Sequence, residues 1–188
     1  CIATFCSGLS YGWTTTEVPR LQNETNPLDI DPLTKDQASW LGSSLSFSTF
    51  VTLCIVGGIS EKFGRKATGL MLAVLFTLCW LLRLLATNFH FILAAQIMSG
   101  AGDGFAFFFA PLYITEITSV NVRGFMASFV LFSFKIGLLV GYVLGTVLSY
   151  KVYTIVGLVI PIVYFGGVLP LAESPVWLVR QNRMDKAK

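Results

Sequence analysis

Charge is scarce in this sequence: only 12% of its 188 residues are Asp, Glu, Lys or Arg, whereas a soluble domain carries about 25%. The 13 basic and 10 acidic residues leave a net charge of +3, which is too small for a nucleic-acid-binding surface. A hydrophobic content of 54% also excludes a disordered chain. These shortages argue against a water-soluble domain and indicate that most of the chain lies in lipid.

Histidine and cysteine, which supply many catalytic bases, nucleophiles and metal ligands, are also rare. His90 is the single histidine, and the four cysteines form no Cys-x-x-Cys pair. The sequence contains no nucleophile–base pair, metal cluster or phosphate-binding loop. We therefore predict a protein that is not an enzyme, holds no metal or cofactor and uses its cysteines as small apolar side chains.

Long apolar stretches, in contrast, fill the chain. A window of about 20 residues finds six of them, and each except the first is long enough to cross a hydrocarbon core about 30 Å thick. They lie near 1–16, 39–60, 67–87, 90–114, 125–149 and 152–172. The first stretch opens without a methionine or a basic leader, which indicates a truncated first helix in a fragment. We expect an all-α membrane protein with a bundle of six transmembrane helices over 1–172.

The basic residues are unevenly divided between the two sides of the predicted membrane. Arg20, Lys35 and Lys151 lie on one side, and eight residues follow helices two, four and six on the other. The eight are Lys62, Arg65, Lys66, Arg123, Arg180, Arg183, Lys186 and Lys188. Because Lys and Arg near helix ends stay in the cytoplasm, we expect the residue 188 end to be cytoplasmic and loop 18–38 to be extracellular. The expected location is the plasma membrane.

Loop 18–38 carries a modification signal. Asn23 begins an Asn-Glu-Thr sequon, and N-glycosylation requires exposure on the extracellular side. Trp13 and Trp40 flank the loop, where aromatic residues gather at the membrane interface. We therefore predict a glycan on Asn23 and both tryptophans in an aromatic belt.

Small residues recur at helical spacing in two of the helices. Gly137, Gly141 and Gly145 lie four residues apart in helix five, which predicts close contact with a neighbouring helix. Helix four contains the run SGAGDG at 99–104. That run favours either tight helix contacts or a wet cavity, and the sequence does not distinguish the two.

Three charged residues fall inside the predicted spans. Asp103 lies 13 residues before Glu116 and Lys135 lies 12 residues after Arg123, so both are about 18–20 Å from one membrane surface. An unpaired charge at this depth costs at least about 2.5–3.5 kcal/mol. Two alternatives follow, namely a structural Asp103–Lys135 ion pair or a transport role for both residues. Arg83, nearer the opposite surface, is predicted to be structural and to extend its side chain to that surface.

Three motifs on the predicted cytoplasmic side resemble those of the sugar porters of the major facilitator superfamily. EKFGRK at 61–66 is similar to the family's Asp-Arg-x-Gly-Arg-Arg/Lys motif, with Glu in place of Asp. PLYITE at 111–116, followed by RG at 123–124, is similar to Pro-x-Tyr-x-x-Glu and its trailing Arg-Gly. ESPVWL at 173–178 resembles Pro-Glu-Ser-Pro-Arg-Trp-Leu after helix six.

The resemblance covers essentially the whole chain, and within the family it is to the insect facilitated trehalose transporter-like group. It implies the amino-terminal six-helix bundle of a twelve-helix major facilitator fold, with 173–188 as the start of a cytoplasmic linker. It also implies transport of a sugar, a hexose or a trehalose-like molecule, by alternating access. The expected partners are the sugar, the lipid bilayer and the missing carboxy-terminal half, and nucleic acid is not among them.

The resemblance also assigns roles to single residues. Ion pairs that close the inner side are implied for Glu61, Arg65, Glu116, Arg123 and Glu173. For the substrate site the implied residues are Leu131, Lys135 and Asp103. Leu131 stands where the family has a sugar-contacting glutamine, and Gln96 stands where it has an arginine.

Three functions stay open at this point. The first is a facilitative sugar transporter, and the second is a proton-coupled carrier that uses Asp103 and Lys135. The third is a transport-dead relative that acts as a sensor or binding partner, which the leucine at Leu131 would suit.

Overall fold

Six helices make up the described part of the protein. The computed structural model describes residues 1–23, 28 and 31–169, and the helices in that part are α1 Ile2–Leu21, α2 Lys35–Phe63, α3 Arg65–Leu84, α4 Phe89–Ile117, α5 Val120–Val147 and α6 Tyr150–Val168. Helices α2 to α6 are long and apolar enough to cross a membrane. The predicted six-helix fold is confirmed, and the predicted linker 173–188 lies outside the described residues.

Two predicted loops are shorter in the structure. The helix α1 continues through Pro19, and α2 begins directly after Thr34, whose hydroxyl accepts a hydrogen bond from the Gln37 N–H at 3.2 Å. This capping box stabilises a polar first turn that an apolar window does not detect.

Most of motif 61–66 is helical as well, because the chain turns from α2 to α3 at Gly64 alone. Its φ of 95° is a conformation that glycine adopts without strain.

The short connections define two ends of the bundle. Gly64 joins α2 to α3 and Thr118 and Ser119 join α4 to α5, at what we call the Gly64 end. The other three connections lie at the opposite end, which we call the Ser149 end. Buried apolar residues form one cluster towards each end, around Trp13 and Trp80 at the Ser149 end and around Phe76 and Phe105 towards the Gly64 end.

Glycines hold α1 and α5 unusually close together. A Cβ added to Gly12 would lie 2.7 Å from the Cα of Gly141, and one added to Gly8 would lie 2.7 Å from the backbone nitrogen of Leu138. Gly137 and Gly145 of α5 likewise have no space for a Cβ, because α1 occupies it. The predicted packing role of the α5 glycines is therefore confirmed.

Glycines also allow α4 and α2 to pack closely together. A Cβ on Gly100 would lie 2.9 Å from the Cβ of Ser48, and one on Gly104 would lie 2.7 Å from the Cβ of Thr52. Of the two alternatives for the run 99–104, these glycines therefore serve tight helix contact. The helix α3 packs against α4 and α6 and completes the bundle.

Trp13 does not lie where the sequence predicted. Its side chain is fully buried and its ring centre is 5.9 Å from that of Tyr150, because α1 runs through the middle of the bundle. The predicted place of Trp13 in an aromatic belt is therefore wrong. Trp40, in contrast, is exposed near the start of α2.

Candidate functional site

Arg65 and Glu116 form an ion pair at the Gly64 end. Nη2 of Arg65 donates to Oε1 of Glu116 at 2.9 Å, and Nε lies 3.2 Å from both carboxylate oxygens. Nη1 donates to the backbone oxygen of Ser60 at 2.9 Å. Arg65 begins α3, so one buried guanidinium connects the ends of α2, α3 and α4. A two-pronged arginine–carboxylate contact of this kind is geometrically specific and strong.

The other residues predicted to form ion pairs at this end are more dispersed. Glu61 and Arg123 are exposed, and Arg123 lies in the first turn of α5 rather than in a loop. Glu173 lies outside the described residues. Lys66, which the sequence did not single out, donates from Nζ to the backbone oxygen of Leu169 at 2.6 Å. This contact connects α3 to the residue that follows α6.

The residues predicted to bind substrate are not brought together. Leu131 is 66% exposed, and Lys135, one turn further along α5, is exposed on the same face with Nζ 5.8 Å from the ring centre of Phe134. Asp103 is fully buried on α4 and faces α1 and α3. The predicted Asp103–Lys135 ion pair is therefore wrong. Equal depth in the membrane does not fix the rotation of two helices about their axes, and here the two side chains point apart.

Arg83 is buried, so the prediction that it extends to the membrane surface is also wrong. Its guanidinium carbon lies 4.0 Å from the ring centre of Trp13 and 4.8 Å from that of Trp80. Nη2 donates to Oε1 of Gln96 at 2.8 Å. Two indole faces and an amide oxygen thus replace part of the water around this cation, whereas Nε and Nη1 are buried without a hydrogen-bond partner among the described residues. Tyr150 completes the surroundings with a 2.7 Å hydrogen bond to the backbone oxygen of Arg83.

A row of polar side chains runs between α1 and α4, and we call it the polar seam. Its members are Ser7, Ser10, Thr14 and Glu17 on α1 and Gln96, Ser99 and Asp103 on α4. Nε2 of Gln96 donates to the Thr14 hydroxyl at 3.1 Å, and the hydroxyls of Ser10 and Ser99 are 2.5 Å apart. Towards the Gly64 end, Ser7 and Asp103 form the next layer.

Sequence reasoning did not find the polar seam, although a signal was present. Polar residues recur at steps of three and four in both helices, which places them on one face of each. At the Ser149 end, the row finishes at Glu17, whose Oε1 accepts a hydrogen bond from Nη1 of Arg20 at 3.1 Å. The row of polar side chains therefore extends from the Ser149 end of the bundle to a carboxyl group in its interior.

Comparison with known proteins identifies sequence relatives among membrane transporters. The family profile "Sugar (and other) transporter" matches residues 1–188. The chain is 28% identical to the facilitated trehalose transporter Tret1 of Polypedilum vanderplanki over 96% of its own length and 36% of the relative's. It is 30% identical to polyol transporter 5 of Arabidopsis thaliana over 81% of its own length and 30% of the relative's. The chain thus spans about a third of these relatives.

Solved structures show the same fold. A structure of the major facilitator proton:xylose symporter XylE matches with a TM-score of 0.78 at 21% identity, over 98% of this chain and 46% of that one. A partially occluded, inward open structure of XylE from E. coli matches with a TM-score of 0.76 at 19% identity, over 98% of this chain and 52% of that one. The six helices therefore have the fold of about half of a major facilitator protein, and the chain is a multi-pass membrane protein that belongs to the sugar (and other) transporter family.

Proposed function

We propose that this chain is the amino-terminal half of a transporter that moves sugars, of hexose or trehalose type, or the related polyols. It works by alternating access with a second six-helix half and has no catalytic activity. The observation that carries the proposal is the Arg65–Glu116 pair, a buried charge contact at one end of a bundle with the major facilitator fold. Two relatives are a trehalose transporter and a polyol transporter, which supports hydroxyl-rich substrates.

We propose that the Gly64 end is held closed by Arg65, because this one side chain connects three helices. Arg65 joins the last residues of α2, its own helix and the end of α4 through Ser60 and Glu116. Movement of α4 relative to α2 and α3 at this end, as the bundle changes shape during the cycle, requires the guanidinium to leave at least one of these partners. The pair therefore stabilises the closed end. The same gating role is proposed for Glu61, Arg123 and Glu173, of which Glu173 lies outside the described residues.

The exposed side of α5 is the proposed substrate face. Leu131 and Lys135 lie there, one turn apart, where a second half-bundle would face them across the transport path. Lys135 can donate hydrogen bonds to sugar oxygens, whereas Leu131 offers only an apolar contact. The family has a glutamine at this position, and its amide can hydrogen-bond to a sugar hydroxyl, which leucine cannot do. Leu131 therefore suits a substrate that presents an apolar ring face beside its hydroxyls.

We expect Arg65→Ala and Glu116→Ala to lower the transport rate of the full-length protein more than its surface abundance. Each change removes a contact that closes the Gly64 end in the proposed cycle, so its main effect should be on cycling. Uptake of radiolabelled trehalose, glucose and sorbitol, divided by the amount of surface-biotinylated protein, measures this directly. Arg65→Lys should be intermediate, because lysine keeps the charge and loses the two-pronged contact.

Lys62→Ala is the matched control, since Lys62 is exposed at the same end and contacts only the neighbouring Phe63 ring at 5.6 Å among the interactions described. It should leave both quantities unchanged. Equal losses of rate and abundance in the Arg65 and Glu116 variants would show a folding role instead of gating.

The orientation we propose places the Gly64 end in the cytoplasm of a plasma-membrane protein. The distribution of the basic residues supports it. Asn23 adds support at the opposite end, because it is exposed two residues after α1 finishes. The two residues that complete its sequon lie outside the described residues.

We expect Asn23 to be glycosylated. Treatment of the protein from insect or mammalian cells with peptide N-glycosidase should increase its gel mobility, and Asn23→Gln should already migrate at the faster position. A band that neither treatment shifts would argue against the glycan. Labelling of a cysteine at position 23 by a membrane-impermeant maleimide on intact cells checks the orientation separately, and labelling only after permeabilisation would refute it.

A further inference from the structure

We propose that Asp103 is a proton-binding site inside the half-bundle, and that it exchanges its proton with the Ser149 end along the polar seam. The site itself does not depend on what the protein transports. Only its use as a coupling group, in which proton uptake drives or gates substrate movement, rests on the function proposed above.

The Asp103 carboxyl is fully buried and has no ion-pair partner within the described part of the chain. The Ser7 hydroxyl is its hydrogen-bonding neighbour, although no contact of full hydrogen-bond geometry reaches Oδ1 or Oδ2. The ion pairs described there, Arg20 with Glu17 and Arg65 with Glu116, do not include it. An ionised carboxylate without a close charged partner in an apolar interior costs several kcal/mol. Binding a proton to one carboxylate oxygen forms an O–H bond, breaks no other bond in the protein and removes that cost.

Asp103 is the only carboxyl group among the described titratable side chains that face this site. The titratable or charged side chains that face it are Cys6 and Tyr11 from α1 and Cys79 and Arg83 from α3. Arg83 is held by Gln96 and the two tryptophans, so it contributes its field and makes no direct contact with the carboxyl.

The polar seam supplies a route to the carboxyl. Between Asp103 and the Gln96–Thr14 hydrogen bond lies the Ser10–Ser99 hydroxyl pair, 2.5 Å apart. A hydroxyl both donates and accepts, so it can take up a proton on one side and release one on the other. Glu17 finishes the row at the Ser149 end with a buried Oε2 that has no partner.

The same surroundings favour a proton over a metal cation. Calcium takes six to eight oxygen ligands, and magnesium requires six in octahedral geometry. Besides the Asp103 carboxyl, this layer offers the hydroxyl of Ser7, and the nearby Cys6 and Cys79 add only sulfur. This set is too poor in oxygen for a hard cation and sufficient for a proton.

Infrared spectroscopy of the purified full-length protein in lipid tests the site without any transport measurement. Spectra recorded through a pH titration should contain a carboxylic-acid C=O band that disappears in Asp103→Asn. Asp36→Asn is the matched control, because Asp36 is an exposed aspartate at the start of α2, and it should leave that band in place. Persistence of every acid band in Asp103→Asn would overturn the proposal.

Two further measurements keep the proposal open to refutation if Asp103→Asn folds poorly. Ser7→Ala is a smaller change beside the carboxyl and should shift the frequency of the same band, whereas an unshifted band would remove Ser7 from the site. Ser99→Ala should slow the appearance of the band after a pH jump, because it interrupts the hydroxyl route, and an unchanged rate would overturn that route. A band that changes with sodium at constant pH would assign the site to a metal cation instead.

Discussion

Gly141→Leu is expected to yield little or no stably folded protein. A side chain at this position begins with a Cβ 2.9 Å from the Cα of Gly12, 3.0 Å from the Tyr153 hydroxyl and 3.1 Å from the backbone oxygen of Leu9. Two of these three neighbours are backbone atoms of α1, which cannot move without displacing the helix. Overpacking by single methylenes already costs about 1–3 kcal/mol, and leucine adds four carbon atoms.

Size-exclusion profiles and thermal unfolding of the detergent-solubilised protein measure the effect. Gly141→Ala should fall between wild type and Gly141→Leu. Gly166→Leu is the control, because Gly166 also lies in a membrane-spanning helix but a Cβ there would meet nothing within 4 Å. If Gly141→Leu and Gly166→Leu were equally stable, the contact between α1 and α5 would not limit folding.

Arg83→Ala is expected to lower the free energy of unfolding by about 3–5 kcal/mol. A desolvated cation–π contact contributes about 2 kcal/mol or more, and here two indole rings flank the guanidinium. The substitution also leaves Oε1 of Gln96 without its 2.8 Å donor, and an unsatisfied buried acceptor costs about 1–3 kcal/mol. The space between Trp13 and Trp80 would become a cavity.

Thermal unfolding followed by tryptophan fluorescence suits this variant, because both indoles report on the site. Arg83→Lys should also be clearly destabilised, since an ammonium group cannot stack its face between two rings. Lys151→Ala, at an exposed position near the same end, should change stability by no more than about 0.5 kcal/mol. Wild-type stability in Arg83→Lys would mean that only the charge matters at this position.

The membrane-spanning helices could be predicted from the sequence, because an apolar stretch of about 20 residues is the length that a helix needs to cross a bilayer. The ends of those helices could not, since they depend on short-range contacts. The Thr34–Gln37 capping box carries α2 into residues that look like loop, and Gly64 alone makes a turn that the charged motif 61–66 suggested was longer. The α5 glycines were predictable for the opposite reason, as their spacing needs no partner to be recognised.

The candidate site was only partly predictable because a sequence gives the depth of a residue but not the direction of its side chain. Arg65 and Glu116 were identified by their motifs, yet only the structure shows that these two residues contact each other. Asp103 and Lys135 share a depth and point to different neighbours. Arg83 was mistaken for a surface residue because an arginine near a helix end is often one, and its two tryptophans come from different helices.

The close glycine contacts follow a pattern that is repeated within the bundle. Gly8 and Gly12 press α1 onto α5, and Gly100 and Gly104 press α4 onto α2, with the same four-residue step in each case. The helices α1 and α4 each open a set of three, and they run through the membrane in opposite directions. The half-bundle thus has an internal symmetry of contacts, in which the first helix of each three-helix set packs closely on the middle helix of the other set.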